Sequence, residues 1–212
     1  MDIQILTPDE QQQLQDIIAT AQHTIVTCHK SPDGDAIGAV LAWSDYLRAH
    51  GKDVMMVVPD AFPDFLRWMP GVERIVRYDK HPDEVKAAFE QADTVFCLDF
   101  NAAFRVADMQ PLLEAATARR VLIDHHESPT IDTMLSLSHP EACATCELLF
   151  RIIWQMGGFE AMSHHCAVCL YTGMMTDTGG FTYNSTRGEI YFIISQLLTK
   201  KVNKDKIFRN VY

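Results

Sequence analysis

Short apolar runs recur along the chain and predict buried strands. The runs occupy residues 24–28, 53–58, 94–98 and 120–123, with a less regular run at 74–78. Each is only a few residues long and rich in Val, Ile, Leu, Phe or Met, which favours a strand over a helix. Because near-continuous apolar strands are buried on both faces, they indicate a parallel sheet.

Segments with helical character separate these runs. Thr7 as N-cap, Pro8 and Glu10 form a capping box that predicts an opening helix to about Ala21. Gly51 is expected to end the second helix. The remaining helices are predicted at 36–50, 82–91, 109–118, 143–156, 160–175 and 188–200, with loops at 59–63 and 128–130. This alternation predicts an α/β fold: a doubly wound, mostly parallel sheet flanked by helices, with a helical C-terminal portion.

The chain has the length of one sizeable domain. Its 212 residues contain no internal repeat or linker-like segment, so we expect a single domain whose helical part spans about 141–212. No apolar run approaches the roughly 20 residues of a membrane span, and the start lacks the features of a signal peptide. We therefore expect a cytoplasmic protein without membrane contact.

The net charge of −10 narrows the range of partners. Stable binding to duplex nucleic acid normally uses clustered Lys and Arg, which argues against it here. A small phosphorylated substrate remains compatible with this charge, since bound divalent cations reverse the local field.

Four of the six cysteines match a generic zinc pattern. Cys143 and Cys146 form one C-x-x-C pair, and Cys166 and Cys169 form another. Both pairs lie in apolar helical stretches without the turns of a zinc knuckle. Reduced thiols in the core are therefore the favoured interpretation, and structural zinc is the alternative.

Acidic and imidazole side chains follow three of the predicted strands. His29 follows the first strand, Asp99 closes the run at 94–98, and Asp124-His125-His126 closes the run at 120–123. In an open parallel sheet, ligands bind beyond the carboxyl ends of the strands, so these side chains can converge. Asp33 and Asp35 flank Gly34 in a tight turn before a helix, whose free N–H groups suit a phosphate. Asp177 follows a helical stretch.

These candidates are too numerous for one metal ion. They comprise the carboxylates of Asp33, Asp35, Asp99 and Asp177 and the imidazoles of His29 and His125, with His126 spare. The number suits two ions that share a carboxylate. Oxygen ligands with some imidazole favour two Mn²⁺ ions, with Mg²⁺ possible, over structural zinc.

Each motif also has a structural interpretation. A lone Asp-x-Asp is usually a solvated turn or a helix cap, and adjacent histidines are more often structural than metal-bound. His164-His165 has no strand before it and no nearby carboxylate in the sequence, so we interpret that pair as structural. The ordered conjunction of motifs sets the other candidates apart.

That ordered set resembles the DHH phosphoesterase family, which is named for the triplet found here as Asp124-His125-His126. The other family motifs correspond to residues 29–36, 98–101 and 175–181, and the resemblance covers about 20–185. It implies a metal-dependent hydrolase of phosphate esters. By this resemblance His29, Asp33 and Asp99 hold one metal, and the second is held by Asp35, Asp99, His125 and Asp177.

The resemblance also implies roles around the metals. Asp99 bridges the two ions, Asp124 supports its neighbours without binding a metal, and His126 faces the substrate phosphate. Asp99, Asp124, His125 and His126 are therefore the expected catalytic residues. Asn101 and Arg105 are candidate phosphate contacts, although Arg105 equally fits a helix surface.

Within the family, the motifs look most like a bacterial subgroup that degrades very short RNA and dephosphorylates adenosine 3',5'-bisphosphate. We therefore expect short single-stranded RNA or a small phosphorylated nucleotide as substrate, and a homodimer is possible. Pyrophosphatase, polyphosphatase, cyclic-dinucleotide phosphodiesterase, an inert nucleotide-binding module and a zinc-stabilised interaction module remain alternatives. That subgroup carries a second, C-terminal domain with a Gly-Gly-Gly-His signature. None is found here, so we expect that domain to be absent and activity to be weak.

Overall fold

The protein is described here by a computed structural model over residues 3–212. Its strands are β1 (His23–Thr27), β2 (Asp53–Val58), β3 (Val76–Arg77), β4 (Thr94–Leu98), β5 (Arg119–Asp124) and β6 (Leu135–Ser138). Its helices are α1 (Pro8–Thr20), α2 (Gly34–Ala49), α3 (Pro82–Gln91), α4 (Gln110–Ala115), α5 (Thr145–Gln155), α6 (His164–Asp177), α7 (Gly188–Thr199) and α8 (Lys204–Val211). Short 3₁₀ helices occupy Asp64–Leu66, Val72–Arg74 and Ala103–Met109.

The six strands form one sheet in the order β3-β2-β1-β4-β5-β6, and every pair of neighbours is parallel. One face of the sheet packs against a core that includes residues of α1, α2, α5, α6 and α7. The other face packs against α3 and α4, where Val85, Phe89 and Leu113 are buried. The predicted doubly wound α/β architecture with a helical C-terminal portion is confirmed.

Close contact between α2, α5 and α6 holds the helices beside the carboxyl edge of the sheet. A Cβ on Gly38 would lie 2.7 Å from the Cys169 carbonyl oxygen, and a Cβ on Gly173 would meet the Cys146 side chain. These positions lack room for a side chain, so glycine permits the approach. Asp35 on α2 and Asp177 at the end of α6 are thereby brought to the same place.

Local signals predicted most element boundaries within a few residues. The Thr7–Glu10 capping box at the start of α1 is present. In the run at 74–78, Arg74 ends a 3₁₀ helix and only Val76–Arg77 are paired as a strand. The helix predicted at 109–118 is the shorter Gln110–Ala115, preceded by a 3₁₀ helix whose Ala107 has a φ of 48°.

Within residues 3–212, one β-strand and one α-helix were not predicted. The edge strand β6 has only four residues, alternating between Leu and Ser, which is too short for a clear periodic signal. The eight-residue α8 has a polar sequence in which only Ile207 is buried. Among residues 3–212 no helix is long and apolar enough to cross a membrane.

Candidate metal centre

The carboxyl edge of the sheet brings the predicted ligands together. His29 lies just beyond β1, Asp99 follows β4 directly, and Asp124 is the last residue of β5. The side chains divide into overlapping groups whose nitrogen and oxygen atoms lie within 4.8 Å of one another. Convergence from separate strands is what a parallel sheet allows at this edge.

The first group contains His29, Asp33 and Asp99. The Nε2 atom of His29 lies 3.5 Å from Asp99 Oδ2 and 3.8 Å from Asp33 Oδ2. The other ring nitrogen, Nδ1, donates to the Lys30 carbonyl at 2.7 Å. Because a carbonyl only accepts, Nδ1 carries the proton and Nε2 is available as a ligand.

The second group contains Asp35, His125 and Asp177. The Nε2 atom of His125 lies 3.4 Å from Asp177 Oδ2, 3.9 Å from Asp35 Oδ2 and 3.4 Å from Asp99 Oδ1. Asp99 therefore directs one carboxylate oxygen toward each group. This arrangement suits a carboxylate that bridges two ions.

Asp99 adopts a left-handed backbone conformation, with a φ of 63°. Such a conformation is uncommon outside glycine, although aspartate is among the residues that tolerate it best. The Asp99 N–H donates to the Ile123 carbonyl at 3.1 Å, and Thr145 Oγ1 donates to Asp99 Oδ1 at 2.9 Å. The sharp turn after β4 and these bonds hold the carboxylate in place.

Asp35 is fixed by the start of α5. Its Oδ2 accepts the Thr145 N–H at 2.6 Å, and its Oδ1 accepts the Cys146 N–H at 2.9 Å. The first N–H groups of a helix have no partner within the helix, so a carboxylate satisfies them. Sequence reasoning did not identify Thr145, because the only local signal is a threonine beside a helix start.

His126 and Asp124 form a separate hydrogen bond. The Nδ1 atom of His126 lies 2.7 Å from Asp124 Oδ1 and 3.9 Å from Asp99 Oδ1. His126 thus joins a third group with Asp99 and His125. Because the Asp124 carboxylate is a strong acceptor, we place a proton on Nδ1 of His126, which donates it to Asp124. The Nε2 atom of His126 is then free to contact a bound substrate.

The start of α2 differs from the expected free anion site. Asp33 is the N-cap of this helix, and its Oδ1 accepts the N–H groups of Asp35 and Ala36, each at 3.0 Å. Those N–H groups are therefore already bonded within the chain. The other oxygen of Asp33, Oδ2, is the one that faces His29.

Burial and crowding shift the pKa values of these groups. Burial raises the pKa of Asp177 to about 7, and the charges of Asp99 and Asp33 add to this effect. Burial also raises the pKa of Asp35, with further increases from Asp99 and Asp177. Burial opposes the charged form of Asp99 too, but contacts with His125 and His29 hold its pKa below the usual range.

The two histidines show the complementary effect. Burial lowers the pKa of His29, but the Asp99 contact outweighs it and raises the pKa to about 9. The same opposition raises the pKa of His125 to about 10, with Asp99, Asp35 and Asp177 as the opposing charges. Several buried carboxylates thus compete for few positive partners, and divalent cations would relieve that competition.

The donor set fits divalent metal ions. The imidazole–carboxylate distances of 3.4 to 3.9 Å are longer than ordinary hydrogen bonds. Ligands bound at about 2.1 Å in an octahedral site lie about 3.0 Å apart when adjacent and about 4.2 Å apart when opposite, so one ion fits between such atoms. Oxygen and imidazole ligands suit Mn²⁺ or Mg²⁺.

The candidate substrate contacts lie beside this centre. The Asn101 side chain donates to the Glu127 carbonyl at 2.8 Å and so joins the loops after β4 and β5. The backbone carbonyl of Arg105 accepts the Lys30 N–H at 2.7 Å, next to His29. Both residues are thus close to the metal groups, and their roles toward a substrate stay predictions.

A buried ion network supports the helix that holds Asp35. Glu147, on α5, is fully buried and binds Arg151 Nη1 at 3.2 Å and Arg187 Nη2 at 2.5 Å. It also accepts the Cys143 N–H at 2.8 Å. This residue was not identified from sequence, because a glutamate in the first turn of a helix is ordinary.

In the part of the chain that the structure describes, no cysteine belongs to a group of side chains that could hold a metal ion. All six are buried, and burial raises the pKa of the thiols in both C-x-x-C pairs. The sulfurs of Cys146 and Cys166 each lie 3.6 Å from a carbonyl oxygen. The arrangement favours core thiols over a zinc site. In the second histidine pair, His164-His165, the Nδ1 atom of His164 lies 2.9 Å from the Lys200 carbonyl oxygen.

Known proteins are similar in sequence to this chain. The chain is 29% identical over 173 residues to the bifunctional oligoribonuclease and PAP phosphatase NrnA of Thermus thermophilus, a match that covers 82% of this chain and 48% of that protein. It is 26% identical to the cyclic-di-AMP phosphodiesterase PdeA of Listeria monocytogenes, covering 81% of this chain and 27% of that protein. The chain thus spans about half or less of the length of these relatives.

Solved structures agree with the fold. An exopolyphosphatase-related protein from Bacteroides fragilis is 45% identical, with a TM-score of 0.95 over 98% of this chain and 62% of that one. The exonuclease RecJ bound to manganese shares the fold at 16% identity, with a TM-score of 0.55 over 94% of this chain and 49% of that one. Residues 23–174 match the N-terminal domain of the DHH family. The chain therefore belongs to the DHH family, a family of metal-dependent phosphoesterases.

Proposed function

We propose that this chain is a two-metal phosphoesterase, and the position of Asp99 is the observation that carries the proposal. One oxygen of Asp99 lies 3.5 Å from His29, and the other lies 3.4 Å from His125. A carboxylate buried between two ligand groups can hold both ions at a fixed separation. That separation matters because both ions must act on one phosphate.

Each group would hold one ion. His29, Asp33 and Asp99 would hold the first, and Asp35, Asp99, His125 and Asp177 the second. When bound, two such ions neutralise phosphoryl charge and supply a nucleophile from water at neutral pH. Mn²⁺ is the proposed ion, supported by the donor set, and Mg²⁺ is an alternative.

The remaining side chains would position the phosphate. Asp124 holds the His126 ring through Nδ1, so the Nε2 atom can donate to a phosphoryl oxygen when the ring is protonated. The His126 side chain is about one-third exposed, as a substrate contact requires. Asn101 and Arg105 are further proposed contacts.

The proposed substrates are short oligoribonucleotides, cleaved to 5'-mononucleotides, and adenosine 3',5'-bisphosphate, which would lose its 3'-phosphate. The similarity to an oligoribonuclease and PAP phosphatase supports both. The net charge of −10 supports a small, single-stranded substrate over a duplex. A homodimer is also proposed, and light scattering of the purified chain tests it.

The deciding experiment measures Mn²⁺ stoichiometry and hydrolysis of a short RNA for the native chain and for Asp99→Asn. We expect about two Mn²⁺ per native chain, both weakened in the variant, with metal-dependent hydrolysis lost. Asp83→Asn, which changes an exposed carboxylate on α3, is the matched control and should retain both properties. Absence of metal-dependent turnover in the native chain would contradict the proposal.

Two relatives each favour another class of substrate. One is a cyclic-di-AMP phosphodiesterase, and the structural neighbour is described as exopolyphosphatase-related. Competition between short RNA, cyclic-di-AMP, polyphosphate and pyrophosphate for one limiting amount of protein would rank them. Nucleotide binding without turnover would indicate an inert binding module. Zinc that survives Asp99→Asn would indicate an interaction module built on the cysteines.

A further inference from the structure

Asp60 is a carboxylate near the carboxyl edge of the sheet that belongs to none of the metal-competent groups within residues 3–212. It lies just beyond β2. Strands β1 and β2 are parallel neighbours in which Thr27 is opposite Val57. Lys30 and Asp60 each come three residues after that pair, so the sheet brings Asp60 beside the segment that follows His29.

The Asp60 carboxylate contacts Ser31 in this segment. Its Oδ1 atom accepts the Ser31 N–H at 2.6 Å, and its Oδ2 atom accepts the Ser31 hydroxyl at 3.4 Å. Ser31 has a φ of 52°, a left-handed conformation that is uncommon for serine. Such a conformation persists only where surrounding contacts hold it, and the Asp60 carboxylate supplies two such contacts.

The Ser31 N–H and the Lys30 carbonyl belong to one peptide group. That carbonyl accepts the proton of His29 Nδ1 at 2.7 Å. In a trans peptide the N–H and the C=O point in opposite directions, so Asp60 and the His29 ring lie at the two ends of one chain of hydrogen bonds. Because hydrogen bonds in a chain polarise one another, a carboxylate on the N–H side makes the carbonyl a stronger acceptor for the ring.

The far side of the His29 ring faces the metal centre. The ring is buried, and its Nε2 atom lies 3.5 Å from Asp99 Oδ2. The peptide group before Lys30 is held separately, because the Lys30 N–H donates to the Arg105 carbonyl at 2.7 Å. A buried imidazole held through Nδ1 presents Nε2 in one direction, which fixes it as a ligand.

We propose that Asp60 is a positioning residue for the metal ion of the first group, whose ligand His29 it reaches through the Lys30–Ser31 peptide group. Asp60 itself is not a ligand. Without its carboxylate this peptide group loses its fixed orientation, and the ion beside His29 loses affinity. No hydrogen bond or ion pair within the described residues joins Asp60 to the second group. The inference rests on the proposed two-metal centre and adds a residue outside its ligands.

Calorimetric titration with Mn²⁺ tests this role. We expect Asp60→Ala to weaken one of the two ions by about 10- to 100-fold, as loss of a group that orients a ligand typically does, and to leave the other nearly unchanged. Asp33→Asn removes a proposed ligand of the first ion and identifies the affected step, and Asp177→Asn identifies the other. Asp60→Asn keeps an oxygen that can accept the Ser31 N–H, so it should weaken the ion less than Asp60→Ala.

Asp93→Ala is the matched control. Asp93 is half-buried like Asp60, and its Oδ2 atom accepts the Gln22 and His23 N–H groups at 2.8 and 3.1 Å, at the opposite end of β1. The substitution removes a comparable backbone contact away from the metal centre, so both Mn²⁺ affinities should stay unchanged. Equal weakening of both ions in Asp60→Ala, or native affinity for both, would overturn the inference.

A measurement on metal-free protein separates the hydrogen bond from metal binding. Hydrogen exchange of the Ser31 N–H, followed by NMR, should be faster in Asp60→Ala than in the native chain and unchanged in Asp93→Ala. Unchanged exchange in Asp60→Ala would contradict the contact on which the inference depends.

The result is also separable from the proposed function. Selective weakening of one ion in Asp60→Ala, together with no hydrolysis of short RNA by the native chain, would uphold the role of Asp60 and reject the phosphoesterase proposal. Metal-dependent hydrolysis with both Mn²⁺ affinities unaffected by Asp60→Ala would do the reverse.

Discussion

At the scale of single residues, two buried aspartates at the same edge of the sheet have different contacts. Asp99 faces both His29 and His125, whereas Asp124 bonds His126 and belongs to none of the metal-competent groups found within residues 3–212. A bridging carboxylate affects both ions, while a carboxylate behind a histidine affects only the orientation and charge of that ring. Substitutions of Asp99 and Asp124 should therefore have different effects on metal binding and on catalysis.

Asp124→Asn is expected to lower kcat by about 100-fold or more while leaving about two Mn²⁺ bound. The amide oxygen can still accept from His126, but the side chain lacks the negative charge of the carboxylate that orients and polarises the ring. Metal analysis and steady-state kinetics on the same preparation check this. A loss of Mn²⁺ in step with activity would show instead that Asp124 maintains the metal groups.

Thr145→Val isolates the hydrogen bond to Asp99. The substitution nearly preserves shape but removes the Oγ1 donor that lies 2.9 Å from Asp99 Oδ1. Removing such a supporting partner typically weakens metal affinity by about 10- to 100-fold, and Mn²⁺ titration measures it.

Thr24→Val is the matched control for that experiment. Thr24 is also a buried threonine, at the opposite end of β1, and its hydroxyl has no hydrogen-bond partner within the described chain. Losing an unpaired hydroxyl should leave Mn²⁺ affinity unchanged and stability equal or higher. Equal Mn²⁺ affinities in the two valine variants would contradict the role assigned to Thr145.

At the scale of elements, the start of α5 connects the core to the metal centre. Its Thr145 and Cys146 N–H groups hold Asp35, while Glu147, in the same turn, is held by Arg151 and Arg187. Arg151 also donates to the Ile3 carbonyl at 3.0 Å, and Arg187 precedes α7. One buried carboxylate thus fixes the helix that positions Asp35, a candidate metal ligand.

Glu147→Gln should destabilise the protein by about 3 to 5 kcal/mol, because two guanidinium groups lose their buried counter-charge. Denaturant unfolding measures the change. Asp64→Asn breaks the exposed Arg67–Asp64 pair, which joins atoms 2.8 Å apart, and should cost less than about 1 kcal/mol. Similar losses in both variants would mean that burial adds little to the Glu147 network.

At the scale of the whole molecule, burial governs the chemistry of the thiols. Carboxylates and imidazoles gather at the carboxyl edge of the sheet, and all six thiols are buried, some of them, such as Cys146, next to those groups. Burial raises the pKa of each of these thiols, so little thiolate forms near neutral pH. The core should therefore resist thiol reagents as long as it remains folded.

Reaction with Ellman's reagent at pH 8 checks this expectation. We expect all six thiols to react after denaturation in guanidinium chloride and essentially none to react rapidly in the native chain. Metal-free protein with and without added zinc provides the control, since zinc should not change either count. A rapidly reacting native thiol would contradict the buried core described here.

The sequence by itself determined the α/β class and the positions of the main candidate ligands. Short apolar runs predict the strands. Because ligands of a parallel sheet bind beyond the carboxyl ends of its strands, His29, Asp99 and His125 were identifiable as candidate ligands. The capping box at Thr7 was also identifiable from sequence, because Thr7 and its partner Glu10 lie only three residues apart.

Only the tertiary structure decided which groups meet across long distances. Thr145 and Asp35 are 110 residues apart, and Arg187 and Glu147 are 40 apart, so no local pattern links them. It also showed that Asp33 occupies the N–H groups at the start of α2, and that β6 and α8 exist. Their short sequences carry weak intrinsic signals, and packing against the remainder of the fold stabilises them.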